Sequence, residues 1–155
     1  MKFDIIKCKA DPSEYDFDGF FFFNSIKGSI SYADDLKAAT NFRNKNTLIM
    51  LKDYDFDIGA IKTIADKKKA CFLIDLGGVI KSNGIYRVIL ISKLRTFLTQ
   101  CNKHGAYYAF ASFAEDKSQI RHPSELMHIA MLLGINKGQA GFAMKMLPLY
   151  LPKEK

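Results

Sequence analysis

Four groups of residues have types and spacings that could carry chemistry. Asp53, Asp55 and Asp57 stand at alternate positions, as at the start of a calcium-binding loop. The sixth position of such a loop is Ile58 where the turn needs glycine, and the twelfth is Ile64 where a bidentate glutamate belongs. The triplet therefore reads as a turn with a helix cap. Gly77-Gly-Val-Ile-Lys81-Ser82 has the outline of a phosphate loop but lacks the glycine directly before the lysine. His104, His122 and His128 have no histidine four residues away and no cysteine or acid at ligand spacing, so no metal site is expected. Cys8, Cys71 and Cys101 are an odd number, widely separated within or beside apolar runs, and read as small hydrophobes. No nucleophile has a base beside it in sequence, and no catalytic residue is assigned.

Charge is more informative than any of these motifs. The chain of 155 residues carries a net charge of +7, and its distribution is uneven. Residues 1–75 hold 12 Lys/Arg and 12 Asp/Glu, whereas residues 76–155 hold 11 and 4. No acid lies between Asp75 and Glu115, while Lys81, Arg87, Lys93, Arg95 and Lys103 all do. A stretch of one sign points to a polyanion, with nucleic acid foremost. The apolar runs are far shorter than the roughly 18 residues of a membrane span, and acids follow Met1-Lys2 too closely for a signal peptide. A cytoplasmic protein without a membrane partner is expected, formed by one domain over residues 1–155.

The elements that must position these residues alternate between strand and helix. Phe3 to Lys7 and Phe17 to Phe23 read as short strands, and Ser31 with Asp34 reads as a capping box for a helix over Tyr32 to Thr40. Thr47 to Leu51 and Cys71 to Ile74 are apolar throughout, as strands covered on both faces are. Asp57 caps a helix with Ile58, Ile61, Ile64 and Ala65 on one stripe. A long helix spans Ile85 to Lys103, and Ala106 to Ser112 is a fifth strand. Pro123 opens a helix that Gly134 ends; Asn136 and Gln139 cap a last one that Pro148 stops. Such alternation implies parallel strands with right-handed crossovers. Because a complete eight-unit barrel needs ~200 residues or more, a shortened TIM-barrel-like α/β fold, not fully closed, is expected, with an open sheet as the other possibility.

The stretch from Asp57 to Leu147 resembles ribonuclease P protein component 3, the barrel-like subunit found in archaea and, in larger form, in eukaryotes. The likeness is carried by Asp57-Ile-Gly-Ala-Ile-Lys with Cys71-Phe-Leu-Ile-Asp75, and by Tyr86-Arg87 opening a long basic helix. It continues through Lys103-His-Gly105, Ser112, Ile120-Arg-His-Pro-Ser-Glu-Leu126, Leu132-Leu-Gly134 and Gln139-Ala140. Two departures stand out: the chain is shorter between its amino-terminal strands and Asp57, and His122 occupies a cap position where a small residue is usual. The resemblance implies a subunit that supports RNA-catalysed removal of the 5′ leader from precursor tRNA. Its partners would be the ribonuclease P RNA, precursor tRNA and a smaller ribonuclease P protein subunit. The magnesium ions would be held by the RNA, with no cofactor in this chain.

Six cations are the candidate RNA contacts: Lys81, Arg87, Lys93, Arg95, Lys103 and Arg121. At ~100° per residue, Leu90, Leu94, Phe97, Leu98 and Cys101 form the buried stripe of the long helix. Arg95 and Lys103 flank it on one side and Lys93 on the other. Arg87 falls on the buried side in the first turn, where it needs an acceptor, either Asp75 or an RNA phosphate. Two other readings stay open. One is a small α/β-barrel enzyme whose Lys81 or Arg87 holds a phosphorylated metabolite. The other is an assembly module whose exposed Phe20–Phe23 strand pairs with a partner.

Overall fold

The computed structural model of the protein describes residues 2–152. Six short strands form: β1 (Phe3–Ile6), β2 (Gly19–Phe22), β3 (Ile30–Ala33), β4 (Leu48–Leu51), β5 (Cys71–Asp75) and β6 (Tyr107–Ala111). Helices α1 (Phe23–Ile26), α2 (Leu36–Ala39), α3 (Ile58–Lys67), α4 (Leu76–Lys81) and α5 (Gly84–His104) connect them. Three more, α6 (Pro123–Met131), α7 (Lys137–Met144) and α8 (Leu147–Tyr150), complete the carboxyl-terminal part. Every ladder is parallel: β1 pairs with β2, and β3, β4, β5 and β6 pair in that order.

Alternate residues along each strand face alternate sides, and two cores result. Ile5, Phe21, Ile30, Leu48, Cys71, Leu73 and Ala109 point inward and pack together on the axis of the curved sheet. Ile6, Phe20, Ile49, Phe72, Ile74 and Phe110 point outward and are covered by the helices, with Leu94, Phe97, Leu98 and Cys101 of α5 among their partners. Met146, Leu147 and Leu151 join the inner cluster with Ile26 and the first residues of β3, β4 and β5. The carboxyl-terminal segment thus plugs the amino-terminal mouth of the barrel.

The two-stranded and four-stranded parts meet along a seam between β1 and the turn after β6. Phe113 N–H donates to the Ile5 carbonyl at 2.9 Å and Lys7 N–H to the Ala114 carbonyl at 2.8 Å. The fully buried Asp4 completes the join. Its carboxylate accepts from Ser112 N–H at 2.7 Å, from Ser112 Oγ at 2.5 Å and from Ile5 N–H at 2.8 Å. The strands therefore run β2-β1-β6-β5-β4-β3, and among the described residues no ladder joins β2 to β3. The result is a shortened, open α/β barrel.

Several boundaries differ from expectation. Ile30–Ala33 is a strand, and the helix begins at Leu36 with Asp35 as its cap, accepting Ala38 N–H at 2.8 Å. The β-branched Ile30 and the cover of β4 overrode the local capping pattern, so there are six strands rather than five. Gly77-Gly78 lies in the helix α4, capped by Asp75, and is no phosphate loop. Asn136 and Gln139 do form a capping box, but α7 ends at Met144, and Pro148 stands in the first turn of α8 instead of stopping a helix. Phe20 and Phe21 are buried and Phe22 half-buried in β2, while Phe23, also half-buried, opens α1, so these side chains are not exposed as expected.

Candidate RNA-binding surface

The carboxyl ends of the strands make one rim, the place where parallel α/β folds gather ligands. Asp75 ends β5 and spends its carboxylate on Gly78 N–H at 3.0 Å, capping α4. Burial raises its pKa, while the Gly78 bond and the fields of Lys81 and Lys7 hold it down. Gly77 lets α4 seat on the rim, because a Cβ there would lie 2.0 Å from the Ser112 carbonyl oxygen. Lys81 leaves the last turn of α4 and faces Glu115 at 3.6 Å across the rim.

The six sequence-predicted cations do not converge. Arg87 is exposed and Asp75 is not its partner; its Nη2 donates to the Ile80 carbonyl at 2.7 Å, closing the α4–α5 corner. Lys93 pairs with Asp53 at 2.8 Å and stands 4.0 Å from Asp55 on the α3 flank. That bond lowers the Asp53 pKa and raises that of Lys93. Arg95 projects to the other flank, beside Gly134 after α6. Lys103 lies exposed in the last turn of α5, about 24 Å along the helix from Arg87. Arg121 is half-buried ahead of α6. Among the described residues Arg87, Arg95, Lys103 and Arg121 make no ion pair. They are too far apart to close together on one small anion.

His122 is the residue before α6 but makes no side-chain cap. Its Nδ1 instead stands 3.3 Å from an Asp16 carboxylate oxygen, and its ring lies 6.1 Å from that of Tyr15. His104 ends α5 and His128 is exposed. Among the described residues no three His, Cys, Asp or Glu side chains converge as metal ligands.

Lys7 and Lys9 are two cations that the sequence reading did not single out. Both are exposed just after β1, on one wall of a cavity of about 720 Å3 whose opposite wall includes Phe22 and Phe23. Lys7 Nζ lies 5.1 Å above the Phe23 ring. Cations directly after an apolar strand were the available signal, hidden because charges before Asp75 sum to zero.

The fold so defined is that of an open parallel α/β barrel. No family model matches the chain, nor does any curated protein. Among solved structures it superposes on a chain of the cryo-EM structure of archaeal ribonuclease P with mature tRNA. The TM-score is 0.73 at 12% identity, over 95% of this chain and 88% of that one. At that identity the likeness is one of fold.

Proposed function

We propose that this chain is an RNA-binding protein subunit of a ribonuclease P, supporting RNA-catalysed removal of the 5′ leader from precursor tRNA. The observation that carries this reading is the fold match, which spans nearly the whole chain and joins it to a chain of a tRNA-bound ribonucleoprotein. The acid-free run from Lys81 to Lys103, followed by Arg121, supports it, because Arg87, Arg95, Lys103 and Arg121 make no ion pair among the described residues. The RNA component and precursor tRNA are the polyanions, a smaller ribonuclease P protein subunit is the protein partner, and the metal ions belong to the RNA. Among the described residues no helix is long and apolar enough to cross a membrane. A phosphorylated-metabolite enzyme is not favoured: Lys81 and Arg87, the phosphate holders it requires, face Glu115 and the Ile80 carbonyl.

Reconstitution tests this directly. Cleavage of precursor tRNA by the cognate RNA and its other proteins is compared with and without this chain. Omission is expected to slow cleavage or raise the magnesium requirement; an unchanged rate and requirement would reject the proposal. RNA binding should also weaken steeply with salt, since each neutralised phosphate releases counterions. Replacing Arg95, Lys103 and Arg121 together by glutamine is expected to lower the salt slope by about 3 on a log–log scale.

A further inference from the structure

The four-stranded sheet has two ends of opposite charge. Its ladders pair Ile30 with Leu48, Leu48 with Cys71 and Cys71 with Tyr107, so all four strands begin at one level. Neighbouring strands lie about 4.8 Å apart, which brings the starts of β4, β5 and β6 within about 10 Å of one another. The segments leading into the four strands, residues 24–29, 40–47, 66–70 and 102–106, hold seven Lys/Arg and one acid, Asp66. The segments leaving them, residues 34–35, 52–57, 76–83 and 112–122, hold four Lys/Arg and seven acids. The positive end is therefore the amino-terminal rim, opposite the rim where parallel α/β folds usually gather ligands. Of the six cations that the sequence singles out, Lys103 alone lies on it.

Lys45, Lys67, Lys68, Lys69 and Lys103 are exposed on this rim, and among the described residues none of them makes an ion pair. Lys45 Nζ is held 5.5 Å above the Phe42 ring instead. Lys67 and Lys103 stand in the last turns of α3 and α5, where cations suit the helix dipole. Lys68 and Lys69 lie past the end of α3 and Lys45 stands outside any helix, so the dipole does not account for them. The same rim has an aromatic hollow. A cavity of about 420 Å3 lies between the turn at Gly105 and the start of α7, and Asn102 and Gly105, which bracket Lys103, line it. Its wall includes the half-buried Tyr107 and Phe142, which is 57% exposed. Cations alone would suit any polyanion. Cations beside an exposed aromatic ring suit a single strand of nucleic acid, whose phosphates meet the lysines while an unpaired base lies on the ring. A string of carboxylates would answer the charge and leave the ring uncovered.

We infer that the amino-terminal rim of β4, β5 and β6 binds single-stranded RNA, with Lys45, Lys67, Lys68, Lys69 and Lys103 on phosphates and Phe142 under an unpaired base. The choice of RNA among nucleic acids rests on the ribonuclease P reading.

Binding of a fluorescent oligouridylate is measured over a range of salt for the full chain and two charge-matched variants. The rim variant carries Lys45→Gln, Lys67→Gln and Lys69→Gln. The control carries Lys37→Gln, Lys52→Gln and Lys117→Gln, at exposed positions that follow β3, β4 and β6. The rim variant is expected to lower the log–log salt slope by about 2, and the control to leave it unchanged. Phe142→Ala is expected to weaken binding about 10-fold at unchanged slope, because stacking releases no counterions. Lysine acetylation of the wild-type chain, read by mass spectrometry, needs no substitution; bound RNA is expected to protect Lys67, Lys68 and Lys69 and to leave Lys52 and Lys117 reactive. An equal change of slope in both variants, equal protection at both ends, or polyaspartate competing as tightly as the oligouridylate would each overturn the inference. So would precursor-tRNA cleavage that depends on this chain while the rim variant stays fully active and the rim lysines stay reactive in the particle, a result that leaves the ribonuclease P reading standing. Oligouridylate binding lost in the rim variant, with cleavage indifferent to the chain, would support the RNA-binding rim and reject that reading.

Discussion

The β1–β2 pair and the β3–β6 sheet are built from the same kind of strand but are held in the barrel by different means. Within the four-stranded sheet, neighbours are joined by backbone ladders, from Ile30 against Leu48 to Asp75 against Ala111. The amino-terminal pair reaches that sheet through one short bridge and a buried carboxylate. A ladder distributes its hydrogen bonds over many residues, each worth ~1 kcal/mol net. The seam concentrates its bonds on Asp4 and Ser112, and a single substitution can remove several at once. An open barrel can thus be completed at one side chain, at the cost of making that side chain indispensable.

The sharpest way to break this contrast is Gly77→Ala. Its Cβ would overlap the Ser112 carbonyl, a backbone atom that cannot swing aside, so α4 or the seam must move. A loss of about 4 kcal/mol is expected in urea denaturation. The adjacent Gly78→Ala meets nothing closer than an Asp75 oxygen at 3.4 Å and is expected to be neutral or slightly stabilising, as alanine favours helix. Next comes Asp4→Ala, which leaves the N–H groups of Ile5 and Ser112 without their acceptor in the interior. A cost of about 3 kcal/mol is expected. Ser31→Ala, which removes a comparable 2.9 Å side-chain bond to Thr47 across a ladder, should cost about 1 kcal/mol or less. Equal losses for Asp4→Ala and Ser31→Ala would dissolve the distinction between seam and ladder.

A smaller effect is written in pH. Burial, the largest cause, raises the pKa of Asp4 from 3.8 to about 6 even though Ser112 and Ile5 donate to it. A raised carboxylate pKa means the folded state binds the proton more tightly than the unfolded chain. Stability contributed by the protonated form is therefore full below about 4 and is lost as pH rises towards 6. Denaturation midpoints measured from pH 4 to pH 7 should fall across that window in the wild type. The fall should be reduced in Asp4→Asn, which keeps one acceptor oxygen and cannot ionise; an identical slope in both would show that Asp4 is not its source. The smallest effect belongs to Lys93→Gln. Its bond to Asp53 is solvent-exposed, so about 0.5 kcal/mol or less is expected in the same assay.

Much of this architecture was legible because apolar runs such as Cys71–Ile74 and caps such as Asp57 and Asn136 act locally. The parallel, shortened barrel followed from their alternation. The seam was not legible. Asp4 and Ser112 are 108 positions apart, and a lone acid in a short strand reads as a residue on its solvent side. β3 was hidden for a similar reason: Ser31 and Asp34 satisfy a capping pattern locally, and only pairing with β4 makes Ser31 part of a strand. At the surface, Lys93 and Arg95 sit only two positions apart, yet the helix turns them to opposite flanks, about 160° apart. The exposure of Ile85, Val88 and Ile89 at the start of α5 was hidden because periodicity reports which side of a helix is apolar and not where its neighbours end.

The placement of α8 bears on the order in which the chain can fold. Its Leu147, with Met146 and Leu151, fills the mouth that the first residues of β3, β4 and β5 leave open, and the β1–β2 pair finds its second neighbour only once β6 has been made. On a ribosome the β1–β2 pair waits for β6 before it can join the sheet, and the inner core stays wet until α8 has been made. Closure from both ends at nearly the same moment makes the barrel all-or-none. A truncation before Met146 would expose the axis of the whole barrel rather than fray its edge.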